Sequence, residues 1–148
     1  MAVLSSDQRD LIGEARRGVL VTAAADGRPR PVPVCFVLLD GAIYSPLDEK
    51  PKRAADPRSL ARVRDLLAGR PAALLVDRWS EDWTRLAWLR LEVTGGLLEP
   101  GVTEHERAVA VLRARYPQYM AQRLEERPLL RLSVKRAVAW SAADGARG

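Results

Sequence analysis

The stretch that decides the fold is GVLVTAAADGRPRPVPVCFVLLDGAIYSP, Gly18 to Pro46. Val19 to Ala23 is an apolar, β-branched run, and Asp26-Gly27 behind it is a strong hairpin signal. The return strand is read from Pro31 to Leu39. Val32, Val34, Phe36 and Leu38 share one face of it, and Cys35, Val37 and Leu39 the other. Both faces are apolar, which predicts a strand that is central or covered on both sides. Pro29, Pro31 and Pro33 lack amide donors, which predicts a first half that is not fully paired. Carbonyls there, and the amide of Val34, are then open to a ligand. Asp40-Gly41 is a second turn, and Ala42 to Ser45 a third strand. Strand, tight turn, strand, tight turn, strand reads as an antiparallel meander.

Working outward, Ser5-Ser6-Asp7 offers a cap for a helix from Asp7 to Arg16, with Leu11, Ile12 and Ala15 at helical spacing and Gly18 beyond its end. On the other side, Asp56-Pro57 opens a second helix with a buried stripe of Leu60, Val63 and Leu67, closed by Gly69. Ala72 to Asp77 is a fourth strand. Leu86 to Thr94 is a fifth, able to resume to Leu98 after a bulge or bend at Gly95-Gly96. Thr103-Glu104-His105-Glu106 reads as a capping box opening a third helix. Pro117 closes it, and Gln118 to Glu125 adds a further helical turn. The last strand, Leu129 to Ser141, alternates, with Leu130, Leu132, Val134, Val138 and Trp140 read on one face, interrupted by Arg136. These elements sum to a six-stranded antiparallel β-barrel with about four peripheral helices, mainly β within an α+β class. Residues 1–148 form one domain, with residues 1–6 and 142–148 as disordered tails.

Composition narrows the function. The chain has 148 residues, enough for one domain with a real core. No apolar run is long enough to span a bilayer, and the charged N-terminus does not read as a signal peptide. Cys35 stands alone, so no internal disulfide forms, and one Cys with one His makes a transition-metal site improbable. A cytoplasmic location is the default expectation. The net charge is +5, carried almost entirely by arginine. The cations are spread along the chain, and no basic recognition helix stands out, so nucleic acid is not the expected partner.

Two clusters remain. Asp48-Glu-Lys-Pro-Lys-Arg53 holds two of the three lysines. Lys50, Lys52 and Arg53 on a proline-stiffened loop suit a phosphate, although basic clusters more often mark solvated surface. Arg62 and Arg64 on the following helix either add to that basic site or solubilise a surface helix. Trp79, Trp83 and Trp88 bunch around a polar turn. Exposed there, they need a cover, either a second subunit or a flat ligand. His105 reads as an exposed helix-surface residue and Cys35 as inert core. No nucleophile–base pair, glycine-rich phosphate loop or metal spacing is present. Any reaction would be carried by a bound cofactor.

The chain resembles the split β-barrel proteins related to pyridoxamine 5′-phosphate oxidase. The likeness rests on Gly18-Val-Leu-Val-Thr22, the Asp26-Gly27 hairpin, Pro31-Val-Pro-Val-Cys-Phe36 and Arg136-Ala-Val-Ala-Trp140. More narrowly it is similar to the actinobacterial branch treated as F420-dependent oxidoreductases, through Asp48–Arg53, Leu74-Leu-Val-Asp77, Glu81-Asp-Trp-Thr-Arg85 and Arg115-Tyr-Pro-Gln-Tyr119. The resemblance implies a homodimer with cofactor sites at its interface. It places the cofactor phosphate on Lys50, Lys52 and Arg53. The ring would lie along Pro33, Val34 and Phe36 and near Ser45 and Pro46. The partner subunit's Trp79, Trp83 and Trp88 would close the site. The implied reaction is hydride transfer between reduced F420 and an unsaturated small molecule. FMN is the alternative cofactor, and a non-catalytic cofactor carrier the alternative role. One departure is Asp65, which stands where many relatives have Asn in an Arg-Asn-Leu motif and adds negative charge near the expected polyanion.

Overall fold

The computed structural model describes residues 3–47 and 56–145. Lys50, Lys52 and Arg53 lie outside the described residues. Seven strands, β1 Gly18–Ala23, β2 Pro29–Val34, β3 Val37–Leu39, β4 Ala42–Pro46, β5 Ala72–Arg78, β6 Ala87–Leu98 and β7 Leu129–Ser141, form one antiparallel sheet in the order β2-β1-β5-β6-β7-β4-β3. The strands β2 and β3 are its two edges, yet only Cys35 and Phe36 separate them in the chain. A two-residue link spans roughly 10 Å at most. The sheet must therefore curl until its edges almost meet. No ladder joins β2 to β3, so the barrel is covalently linked at this seam without being closed by backbone pairing.

This corrects the six-strand expectation. Pro31–Leu39 is not one strand, because its halves have different partners: β2 pairs with β1, and β3 with β4. Nor is β2 central; it is an edge. Its prolines are consistent with full pairing. The Ala24 amide donates to the Arg28 carbonyl at 2.9 Å, and the register continues through Thr22↔Arg30, Leu20↔Val32 and Gly18↔Val34. Ladder hydrogen bonds thus fall on even-numbered residues. Pro29, Pro31 and Pro33 occupy the positions whose missing N–H would face the open side. The Val34 amide turns toward β1 instead of a ligand, which corrects its expected exposure.

The Asp40-Gly41 turn has φ of 50° and 82°, the two-residue type I′ geometry that suits Asp-Gly. The Asp26-Gly27 loop is one residue longer, with Gly27 at φ 87°. The expected bulge at Gly95-Gly96 falls instead between Glu92 and Val93, opposite Lys135, which has no partner in the register. Gly95 serves packing: a Cβ there would lie 2.8 Å from Leu132 Cδ2 and 3.1 Å from Leu66 Cδ2.

Two cores flank the sheet. The barrel interior holds Leu20, Phe36, Ile43, Leu74, Leu89 and Leu91, with Leu11 and Ile12 from α1 (Ser6–Glu14) and Val63 and Leu66 from α2 (Ala61–Leu67). Leu67, expected in the α2 stripe, is exposed. The helix starts only at Ala61, after a 3-10 turn at Pro57–Ser59, and Val63 and Leu66 set the buried phase. The second core lies outside the barrel. There α3 (Thr103–Arg115) packs Ala108, Val109 and Leu112 against Val37, Ala42, Tyr44 and Leu129. Every residue of β4 is buried because cores press on both its faces. Each fully buried Leu stabilises by about 1.5–3 kcal/mol.

Caps follow the sequence at one helix and not at another. Ser5 makes a reciprocal capping box with Gln8, 3.1 and 2.9 Å. Thr103 is already helical, with Val102 as the cap residue and no side-chain cap bond. Leu4 is buried, and Ala142–Gly145 forms a short helix, α4, where the sequence suggested tails.

Candidate functional site

The seam is built from side chains where the backbone ladder stops. Ser45 Oγ donates to the Cys35 carbonyl at 2.7 Å, tying β4 to the β2–β3 link. The Phe36 amide donates to the Tyr116 hydroxyl at 3.2 Å. That hydroxyl also accepts from Arg115 Nε at 3.1 Å and lies 3.1 Å from the carbonyls of Phe36 and Arg16. With a single proton, it donates to one of those carbonyls. Arg115 also donates to the Ile12 carbonyl (3.2 Å) and the Ala15 carbonyl, and its guanidinium sits 5.4 Å from the Phe36 ring centroid. A cation at the end of α1 meets orphan carbonyls and the negative pole of the helix.

The seam thus draws Pro33–Phe36 and Ser45–Pro46 to one place. Pro33 is exposed on the open side of β2, whereas Val34 and Pro46 are buried. Phe36 and Ser45 are almost wholly enclosed, 0% and 1% exposed. Phe36 packs in the barrel core and its backbone groups meet the Tyr116 hydroxyl, so it presents no surface of its own. Leu47, buried at the end of β4, has its carbonyl held by Arg127 Nε at 2.8 Å. The basic segment begins directly after this anchored residue. On its far side, Asp56 and Glu99 both pair with Arg58.

The tryptophans lie elsewhere. Trp79 and Trp83 are 66% and 68% exposed on the β5–β6 connection. Trp79 Nε1 donates to Glu81 at 3.2 Å. Asp82 caps the 3-10 turn Trp83–Arg85 through the Thr84 amide and hydroxyl, and these bonds, the hydroxyl's first, hold its carboxyl below the usual range. Trp88 is half-buried on the outer sheet face, opposite the exposed Trp140. Ser45 pairs with Leu130 and Trp88 with Trp140, so ten residues of β7 separate them. That path is about 30 Å at strand rise. Trp88 and Trp140 thus lie toward the end of β7 away from Ser45.

Three polar clusters were misread or missed in the sequence. Asp65 is buried, and its carboxylate accepts from Thr22 Oγ1 at 2.8 Å and Arg70 at 3.0 Å, with Arg30 at 3.4 Å. Two guanidiniums offset its charge. His105 is buried, not exposed, and its Nε2–H donates to the Arg127 carbonyl at 2.7 Å. It is the chain's single histidine and is engaged within the fold. Glu104 accepts from Tyr44 at 2.6 Å and from Arg131 at 2.5 Å. Tyr116 and Arg115 carried a signal, the Arg-Tyr-Pro that ends α3, but their target 80 residues away is not local. Among the described residues no group of three His, Cys, Asp or Glu is arranged to hold a metal, and no helix is long and apolar enough to cross a membrane.

No family model matches the chain, and no curated protein matches its sequence. Solved structures do. The conserved hypothetical protein Rv2991 from Mycobacterium tuberculosis superposes with a TM-score of 0.76 at 17% identity, over 97% of this chain and 89% of that one. The fold is a split β-barrel. The heme storage protein HutZ from Vibrio cholerae shares it, with a TM-score of 0.70 and 14% identity over 95% of each chain. So does a FAD-binding protein from Mesorhizobium loti, with a TM-score of 0.64 and 18% identity over 92% of this chain and 94% of that one. At such identities the likeness is one of fold, and these split barrels carry different ligands in their names.

Proposed function

We propose that this split barrel is a cofactor-binding oxidoreductase that uses F420, with FMN as the alternative, and that it works as a homodimer. The observation that carries the reading is the Ser45–Cys35 hydrogen bond. It fixes Pro33 and the end of β4 beside one another, immediately ahead of the Lys50, Lys52, Arg53 segment. A ligand with a flat ring and a phosphate suits that order of groups: ring against the seam, phosphate on the cations. The FAD-binding neighbour supports a flavin-type ring in this fold. A heme held through a histidine is disfavoured, because His105 is buried and engaged.

The homodimer explains the tryptophans. The outer sheet face is apolar at Val19, Val21, Leu75, Trp88, Val138 and Trp140, and Trp79 and Trp83 are exposed on the connection between β5 and β6. A second subunit covering this face would bring its Trp79, Trp83 and Trp88 toward the first subunit's seam. When bound, F420 supplies the hydride for an unsaturated small-molecule substrate. The chain's own groups bind and orient, and the indoles exclude water.

Parallel titration with F420 and FMN, followed by ligand fluorescence at physiological salt, tests this. Tighter binding of F420 supports the deazaflavin reading. Preference for FMN moves the protein to flavin chemistry. Binding of neither overturns the proposal.

A further inference from the structure

The sheet treats its backbone edges unequally. On β2 the outward amide positions are Pro29, Pro31 and Pro33, so that edge has no donors for another strand. On β7 the outward positions are open. The Ala142 amide donates to the Leu86 carbonyl at 2.9 Å, which makes Trp88↔Trp140, Arg90↔Val138 and Glu92↔Arg136 the hydrogen-bonded pairs with β6. The amides and carbonyls of Ala137, Ala139 and Ser141 therefore point away from β6. The strand β4 pairs with β7 only from Leu129 to Ser133, and no described strand pairs beyond it on that side. Ala139 is exposed. Ala137 and Ala139 form an unblocked edge at two-residue spacing, whereas the Ser141 carbonyl takes the first hydrogen bond of α4.

This edge borders a groove of about 620 Å³. Residues 139–141 of β7 line one wall together with residues 87–89 of β6 and Arg78 of β5, and α1 lines the other with Asp7, Asp10 and Glu14. Asp144 stands at the end. Glu14 pairs with Arg78, while Asp7, Asp10 and Asp144 have no ion-pair partner among the described residues. We infer that this groove docks an extended basic peptide segment of a partner protein, which adds as a strand to the Ala137–Ala139 edge and sets its Lys or Arg side chains against the α1 carboxylates. Alternating donors and acceptors on an edge are complementary to another strand, and side chains on alternate positions supply specificity. A second copy of the same edge is disfavoured, because it would bring two acidic clusters together. The inference is independent of any cofactor.

The probe is the peptide Lys-Val-Lys-Val-Lys-Val-amide carrying carboxyfluorescein on its N-terminus, followed by anisotropy with the full chain. Saturable binding is expected. It should weaken at least tenfold in Ala139→Pro, which removes an outward donor and leaves the β6 ladder intact, as the prolines of β2 do. It should weaken similarly in Asp7→Asn with Asp10→Asn, and with a peptide N-methylated at alternate amides. If Ala139→Pro fails to fold by circular dichroism, the acidic variant and the methylated peptide decide. No binding of the probe overturns the inference. So does undiminished binding of the methylated peptide, which would mean charge attraction without strand pairing. Conversion of a dimer to a monomer by Ala139→Pro would make the occupant a second copy and overturn it too.

Discussion

Tyr116, at the end of α3, places its hydroxyl 3.2 Å from the amide and 3.1 Å from the carbonyl of Phe36, the residue at which the sheet changes edges. A side chain thereby supplies at the seam what a ladder supplies elsewhere. Tyr116→Phe keeps the ring and removes the acceptor from a buried amide. Leaving such a group unsatisfied costs about 1–3 kcal/mol. Urea unfolding should show that loss with an unchanged m-value. A variant as stable as the parent would mean that the seam is held by packing alone.

Asp65→Ala removes a buried carboxylate from Thr22, Arg70 and Arg30. The two arginine side chains are 33% and 43% exposed and keep access to water, so the main penalty falls on the buried Thr22 hydroxyl. A loss of about 1–3 kcal/mol is expected. Double substitution with Thr22→Val should recover part of it, which thermal unfolding of the single and double variants would check.

Glu104 gives stability a pH dependence. The Tyr44 hydrogen bond, then the Arg131 bond, lowers its pKa below the usual glutamate value. A depressed carboxylate stabilises the fold above its unfolded pKa, and the contribution is lost as pH falls through the folded one. Tyr44 works in the opposite direction. Burial first, then the Glu104 bond, raises its pKa, so its contribution is present below its unfolded pKa and lost as pH rises through the folded one. Glu104→Gln should flatten the loss of stability between about pH 5 and pH 3. An unchanged acid limb in denaturant titrations would assign that limb to other carboxylates.

Lys50→Ala with Lys52→Ala should weaken F420 or FMN binding by about 1.5–3 kcal/mol for each charge-assisted hydrogen bond removed. Stability should change little. Unchanged affinity would remove the phosphate assignment and leave the fold untouched.

Trp83→Ala truncates a side chain that is 68% exposed. Monomer stability should stay within about 0.5 kcal/mol. Dimerisation, cofactor binding or both should fall, as read by sedimentation and by ligand fluorescence. A variant with neither defect would leave the tryptophans without a partner.

Much of the candidate site was visible as local chemistry. The Asp40-Gly41 turn, the proline run and the exposed tryptophan loop stand where their residues put them, because a tight turn, a missing donor and a polar loop are set within a few residues. The seam itself was not visible. Val32 to Leu39 is uniformly apolar, so nothing nearby marks the point at which its partner changes from β1 to β4. The burial of Asp65 and His105 was likewise hidden, since each is held by groups distant in the chain.

By itself the sequence determined the type I′ turn, the cap at Ser5 and the antiparallel hairpins, all of which depend on neighbours within a few residues. It did not determine the phase of β7, where the unpaired Lys135 leaves Leu130, Leu132 and Val134 in the interior and turns Val138 and Trp140 to the outer face. Only the tertiary structure decided which strands became edges. That choice made the prolines of β2 a block against further pairing, left Ala137 and Ala139 open, and brought Tyr116 to Phe36 from 80 residues away. Edge identity is a property of the whole sheet: it depends on which strand is missing beside a given one, and no local pattern carries that information.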